Sequence, residues 1–455
     1  ASREQKGVLA DFITGFSEWS VRWIPDSLVF VFALTFIVFF AAWALTKHGP
    51  TQLIDDYVKG FWVLLTFAMQ MCVLMITGFA VADSRPVKKA ISALVDLPKT
   101  KVSTVLMFGF ISAFLWWFHW GIGMMVSIIM GREIAVRKRG LGIHYPFLAA
   151  IAYAMIPMAN GPSQAAQLLV ATPGHFIEKV TGIIPLSKTS FDPHLLVSLF
   201  VLFITLPLVM LALMPKQEHS VEIDEATAAA FSAGEPADDP NKQYTPAERW
   251  DRSPVLQMAL GFIGLYWIGD FFVTKGIAKM DLNTLNFIFL IFGMLLHRTP
   301  RSFVSSVQRG TTTVYGVILQ FPLYAGIFGI ISFSGLAGII AKWFVSFSTP
   351  GTYPWIIYMY TGFLDMFVPS AGSKFVIEAP YIIPAAKELG VSVPHVVNAY
   401  TYGSVWVNLI QPFWALPILA AFKVRFQDIL PYTFVILIWS YIVISAFLLL
   451  WPNGF

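Results

Sequence analysis

Long apolar runs, separated by short charged or Gly/Pro-containing segments, dominate the chain from residue 28 onward. A helix needs about 20 apolar residues to cross the hydrocarbon core of a membrane. Stretches 28–46, 60–82, 195–214, 255–274, 282–296, 311–332 and 429–451 fit one span each. Four stretches do not. Residues 102–131 carry no Asp, Glu, Lys or Arg but are interrupted by His119-Trp120-Gly121-Ile122-Gly123. Residues 353–386 are interrupted by Pro369-Ser370-Ala371-Gly372-Ser373. Each is long enough for two half-spans folded at a tip, predicting re-entrant hairpins over 102–138 and 353–387. Residues 145–173 contain Pro157 and Asn160-Gly161-Pro162-Ser163-Gln164; residues 395–422 contain Gly403-Ser404, Asn408 and Gln411-Pro412. Proline removes a backbone donor and glycine weakens a helix, so both read as spanning helices broken near the middle.

Charge placement supports the hairpins. If they are re-entrant, the N-terminus lies inside, the C-terminus lies outside, and roughly 21 of the 30 Lys and Arg fall inside against about 8 outside, the expected bias. Inner clusters include Arg85, Lys88 and Lys89, and Arg137-Lys138-Arg139 would sit outside if 102–138 crossed as one bent span. Residues 1–27 read as an amphipathic interfacial segment, with no short apolar core and cleavage site of a signal peptide. Segment 215–253, rich in Glu, Asp, Pro and Ala, reads as a mobile inner linker between two halves.

Composition agrees. The 455 residues are 57% hydrophobic and only 12% charged, with a mean hydropathy of +0.69, whereas a soluble domain carries about 25% charged residues. Most of the surface must therefore face lipid. Cys72 has no partner for a disulfide. No basic patch for nucleic acid, no metal-ligand spacing and no nucleophile motif is present, which argues against an enzyme.

The halves repeat. With a shift of about 250 residues, Pro50 falls on Pro300, Lys59-Gly60 on Arg309-Gly310 and Gln70 on Gln320, while Tyr153 and Asn160 fall near Tyr402 and Asn408. The order span, span, hairpin, broken helix, span recurs. The expected units are 1–214 (first repeat), 215–253 (linker), 254–274 (linking span) and 275–455 (second repeat). The linking span inverts the second half. The fold class is thus all-α membrane protein, an inverted-repeat secondary transporter with two re-entrant hairpins and two broken transmembrane helices.

Two tips and two breaks then meet near the bilayer midplane. Helix starts, placed near Met124 and Lys374, would present unpaired amides to an anion. The substrate candidates are Gly121, Gly123, Ser370, Gly372, Ser373 and Lys374 at the tips. At the breaks they are Asn160, Ser163, Gln164, Ser404, Asn408 and Gln411. Serines cap and donate, glycines admit a ligand to the backbone, and the Lys374 ammonium is expected beside a carboxylate. His119, Asp365 and Glu378 are the ion-coupling candidates, because ionisable groups inside a membrane default to function; an internal ion-pair cluster of Asp365, Lys374 and Glu378 is the alternative. Trp116, Trp117, Trp120, Trp406 and Trp414 are candidates to wall a pocket for an alkyl tail, although packing alone accounts for such aromatics. Gln70 and Gln320 are candidate helix–helix contacts.

The chain resembles the bacterial short-chain fatty acid transporter family, of the kind encoded with acetoacetate-degradation genes. The resemblance covers nearly the whole chain. It rests on Trp23-Ile24-Pro25-Asp26, Gly60-Phe61-Trp62, Met69-Gln70-Met71, Ala171-Thr172-Pro173-Gly174, Gln320-Phe321-Pro322, Val368-Pro369-Ser370 and Gln411-Pro412-Phe413-Trp414-Ala415-Leu416-Pro417. That family is similar to a larger ion-transporter superfamily of elevator-type carriers. The resemblance implies uptake of butyrate- or acetoacetate-like monocarboxylates across a bacterial inner membrane, driven by H+ or Na+, without a cofactor. A homodimer embedded in the bilayer is also implied. The sequence departs from the pattern at His119, Asp365, Lys374 and Glu378, where relatives tend to carry amides, small residues or histidine. A dicarboxylate carrier on the same fold is the rival reading, and a channel is disfavoured because opposed hairpins block a pore.

Overall fold

The computed structural model describes residues 27–232, 243–452 and 454. The amphipathic segment expected over 1–27, with its Trp23-Pro25 motif, lies outside the described residues apart from residue 27, where the first helix begins. Among the described residues every regular element is helical. Seven helices are long and apolar enough to cross a membrane: Leu28–Leu45, Leu65–Asp83, Lys101–Phe118, Pro193–Ala212, Pro246–Thr274, Tyr315–Phe333 and Phe426–Leu450. The protein is a multi-pass membrane protein.

One of these seven, Lys101–Phe118, turns back on itself. It stops at His119 and Trp120–Arg137 returns alongside it. The Ser127 hydroxyl donates to that of Ser112 at 2.9 Å. Nearer the tip, a Cβ on Gly123 would stand 2.5 Å from the Trp116 nitrogen. Both pairs are equidistant from the tip, the signature of an antiparallel hairpin; this is hairpin 1. Hairpin 2 pairs Tyr353–Asp365 with Ala371–Glu388. There the hydroxyls of Tyr360 and Tyr381 lie 2.9 Å apart. The returning helices begin at Trp120 and Ala371, a turn earlier than Met124 and Lys374, because His119 and Ser370 act as N-caps.

The first broken helix is Tyr145–Ala154, a short 3-10 turn Ile156–Met158, then Ala165–Ala171. The second is Val393–Ile410 and Phe413–Phe422, bent by 71°.

The repeats are related by exchange. Pro50–Phe61 packs on Tyr315–Phe333, and its counterpart Pro300–Thr311 packs on Leu65–Asp83. Gly60 sits against Ala325 and Gly329; Gly310 sits against Ile76 and Phe79, the last at the position equivalent to Gly329. Gly60 is a close-packing point, since any side chain there would strike the Gly329 backbone. The Gln70 amide donates to Asn283 at 2.6 Å, and Asn286 donates to the Gln70 carbonyl at 2.9 Å, joining Leu65–Asp83 to Leu282–His297; these two helices, with Leu28–Leu45 and Tyr315–Phe333, are the scaffold.

The first part of the linker makes contacts with the helical body. Residues 215–228 are docked on hairpin 1. The Glu222 carboxylate accepts from the Gly140 and Gly142 amides at 2.9 and 2.6 Å. The Lys101 ammonium donates to the Pro215 carbonyl at 3.0 Å, and the Val221 carbonyl accepts from the Tyr145 amide at 2.8 Å. Asp224 caps the helix Glu225–Ser232, and its hydrogen bonds from Thr227 hold the carboxyl below the usual range. Ile223 and Ala228 bury their side chains here. Beyond residue 242, Pro246–Arg252 packs on the helix Pro300–Thr311.

Candidate functional site

A cavity lies where both tips and both breaks meet the scaffold. Hairpin 1 contributes Trp116 and Trp120, hairpin 2 contributes Ser370, Ala371 and Gly372, and the breaks contribute Gln164, Ser404, Asn408 and Trp414. The scaffold wall is Met71, Met75, Val317 and Phe321. Phe321 stacks on Phe67 with ring centroids 5.8 Å apart. Phe67 in turn closes against the tip, where a Cβ on Gly372 would lie 3.2 Å from its ring. No Asp, Glu, Lys, Arg or His is among the lining residues.

Each tip is tied to the break of its own half. The Trp120 amide donates to the Ser163 hydroxyl at 3.0 Å. The Trp414 indole donates to the Pro369 carbonyl at 2.8 Å. The Trp120 and Trp414 rings then meet edge to face across the halves at 5.5 Å. Tyr153 adds a cross-repeat bond, its hydroxyl donating to the Asn408 carbonyl at 2.7 Å.

The two helix starts are not equivalent. At hairpin 1 the opening amides are satisfied by protein: Trp120 by Ser163, and Gly121 and Ile122 by His119 Nδ1 at 3.1 and 3.3 Å. At hairpin 2 the Ser370 hydroxyl accepts only from the Ser373 amide, at 3.4 Å. The first two amides of a helix have no intrahelical acceptor. Here they belong to Ala371 and Gly372, which both line the cavity. Among the described residues, opening amides thus face the cavity without a protein acceptor at tip 2 and not at tip 1.

His119 is fully buried at the tip, with its ring against Phe289 at 4.3 Å and packed on Gly78. Nδ1 accepts from two amides and so carries no hydrogen; the ring is neutral with its proton on Nε2, which has no partner among the described residues. It acts here as a cap. Gly121 accommodates that ring, and Gly123 lets the two helices touch; neither reaches the cavity. Ser163 is spent on the Trp120 amide.

Gln411 accepts from the Phe413 amide at 3.0 Å and repairs the break. Asn160 and Asn408 use their amide nitrogens in the same way, donating to Pro157 and Ser404 carbonyls. Their buried side-chain oxygens have no partner among the described residues. Of this group only Gln164, Ser404 and Asn408 line the cavity.

Lys374, expected beside the substrate, turns away from it. It is 0% exposed, bonded to Asp365 at 2.7 Å and to the Thr361 carbonyl at 2.9 Å inside hairpin 2. Glu378 is joined to the Thr361 hydroxyl at 2.6 Å. Helix periodicity places Lys374 a turn past the opening amides but on the face toward Asp365. Ser373 is also buried outside the lining. Of the tryptophans, Trp117 and Trp406 do not reach the cavity, and the Trp406 indole donates to the Leu437 carbonyl.

The scaffold wall was missed by sequence reasoning. Met71 and Phe321 occupy equivalent positions of the two repeats, as do Phe67 and Val317. Aligning the repeats residue by residue over these helices was the available signal.

A family model for short chain fatty acid transporters matches residues 9–451. The chain belongs to this family. It is 34% identical over 438 residues to a protein of Escherichia coli K12, provisionally named a short-chain fatty acid transporter, covering 95% of this chain and 97% of that one. A Haemophilus influenzae protein with the same provisional name is 33% identical over 427 residues, covering 92% and 94%. The fold is similar to the crystal structure of the Alcanivorax borkumensis YdaH transporter, described as having an unusual topology, with a TM-score of 0.55 and 14% identity. That likeness covers 94% of this chain and 100% of the other. The protein is a transporter and not an enzyme.

Proposed function

We propose that the protein carries short-chain monocarboxylates, such as butyrate or acetoacetate, across a bacterial inner membrane. The observation that carries this reading is the polarity of the cavity. Open amides of Ala371 and Gly372, with Ser370 and Asn408, come from hairpin 2 and the second break; Met71, Met75, Val317 and Phe321 come from Leu65–Asp83 and Tyr315–Phe333. A carboxylate that leaves water needs donors to replace its hydration, and a short alkyl tail gains from an apolar wall. A dicarboxylate fits less well, because its second charge would face methionine and phenylalanine.

The hairpins and broken helices move as one body past the scaffold wall, exchanging the conformations of the two repeats. The N-terminus lies in the cytoplasm and the C-terminus in the periplasm, as the basic-residue bias favours.

Counterflow into proteoliposomes loaded with butyrate tests the substrate class, using labelled butyrate, acetoacetate and succinate with and without sodium. Saturable exchange of the two monocarboxylates is expected. Succinate exchange that butyrate does not inhibit would overturn the reading.

A further inference from the structure

Hairpin 2 buries three ionisable side chains whose charges do not balance. Asp365, Lys374 and Glu378 are all 0% exposed. One ammonium faces two carboxyl groups. Lys374 is committed to Asp365 Oδ1 at 2.7 Å. Glu378 has only a neutral partner, the Thr361 hydroxyl, on Oε2. Its Oε1, like Asp365 Oδ2, is buried without a partner among the described residues.

The other titratable groups facing this cluster are phenols. Tyr353 and Tyr360 come from the first hairpin helix, Tyr381 from the second, Tyr400 from the second broken helix and Tyr153 from the first. These are neutral at physiological pH. Their hydroxyls are used elsewhere. Tyr360 and Tyr381 bond each other; Tyr353, Tyr400 and Tyr153 donate to the Ile382, Ala371 and Asn408 carbonyls. None supplies a positive charge. A buried carboxylate without a counter-charge takes a proton instead of staying ionised.

Resting on the cavity as the substrate site, we infer that Glu378 is the proton-binding site of this carrier, filled when substrate is held and emptied when it is released. The step is one O–H bond made with a proton from water on one side and broken to water on the other. The substrate travels as the carboxylate, so one anion and one proton cross together. The coupling is short-range. Glu378 lies one turn beyond Lys374, and Lys374 lies one turn beyond the Ser370 cap. An ionised Glu378 competes with Asp365 for the ammonium and sets a negative charge behind the helix start that must hold an anion. A protonated Glu378 removes both effects.

Wild type and Glu378→Gln in liposomes, compared with protein-free liposomes to correct for leakage of the neutral acid, provide the test. An inward proton gradient should accumulate labelled acetoacetate by about tenfold per pH unit in the wild type. Glu378→Gln should stay near equal concentrations on both sides, and its counterflow should lose its pH dependence. Accumulation by Glu378→Gln equal to wild type overturns the assignment, as does wild-type accumulation that follows sodium alone. Absence of wild-type counterflow sinks the substrate reading; counterflow without proton-driven accumulation sinks only this one. Infrared difference spectra of the wild type give a readout independent of how the variant folds. A carboxylic acid carbonyl band that shifts with 13C-labelled glutamate is expected near neutral pH, and its absence rejects the site.

Discussion

Gly60 crosses Gly329 so closely that a Cβ on Gly60 would stand 2.6 Å from the Gly329 Cα and 2.4 Å from the Ala325 carbonyl oxygen. The equivalent contact, Gly310 on Phe79, leaves 3.3 Å to a side-chain atom. Backbone cannot yield as a ring can. Gly60→Ala is therefore expected to cost about 1–3 kcal/mol by overpacking. Gly310→Ala should fall within about 1 kcal/mol of wild type, since alanine also favours the helix by roughly 0.5–1 kcal/mol. Thermal unfolding in detergent checks the order; equal effects would mean the two repeats close on one another symmetrically.

Much of this architecture was legible in the chain. The hairpins announced themselves because 102–131 is too long for one span and is interrupted at His119–Gly123. The breaks did so through Pro157, Pro162 and Pro412. Direction was not legible. Lys374 and Glu378 share a helix face by spacing alone, but whether that face meets the cavity or Asp365 depends on how Tyr353–Asp365 packs across the tip. The cap at His119 was hidden for a similar reason: a ring nitrogen accepting two amides is a matter of rotamer, not of residue type. Met71 and Phe321 looked like ordinary lipid-span residues until the tips were brought against them.

His119 should behave as a cap. His119→Asn keeps an acceptor for the Gly121 and Ile122 amides, whereas His119→Leu leaves both without one. Loss of an N-cap costs about 0.5–2 kcal/mol. We expect His119→Asn to transport with an unchanged pH profile and His119→Leu to lose stability and transport. A shifted pH profile in His119→Asn would show that the ring itself titrates during the cycle.

Phe321, held by Phe67, should limit the length of the acyl tail. Each buried methylene contributes about 0.8 kcal/mol, so two more are worth on the order of tenfold in affinity. Phe321→Ala should raise the affinity for hexanoate over butyrate by that factor in competition against labelled butyrate. An unchanged hexanoate-to-butyrate ratio would place the tail on another wall.

Glu222 should hold the first part of the linker on hairpin 1. Its carboxylate accepts from two amides of the loop that follows Arg137. Glu222→Ala, at a cost of about 1–2 kcal/mol of local stability, should speed hydrogen exchange over residues 215–228 by about five- to thirtyfold. Exchange at wild-type rates there would assign the docking to Ile223 and Lys101 instead.

The Lys374–Asp365 pair offers the sharpest separation between structure and substrate contact. Lys374→Met leaves two carboxyl groups buried with no cation, and breaking a buried pair from one side costs about 3–5 kcal/mol. Asp365→Asn in the same chain removes the orphaned charge, so the double variant should recover most of the loss in thermal unfolding. Neither residue lines the cavity. The double variant should therefore bind butyrate within about threefold of wild type, a difference below 1 kcal/mol. Ser370→Ala, which strips a hydroxyl from the cavity itself, should weaken binding by about 0.5–1.5 kcal/mol. A double variant that unfolds like wild type yet no longer binds butyrate would mean that the ammonium leaves Asp365 for the substrate during the cycle.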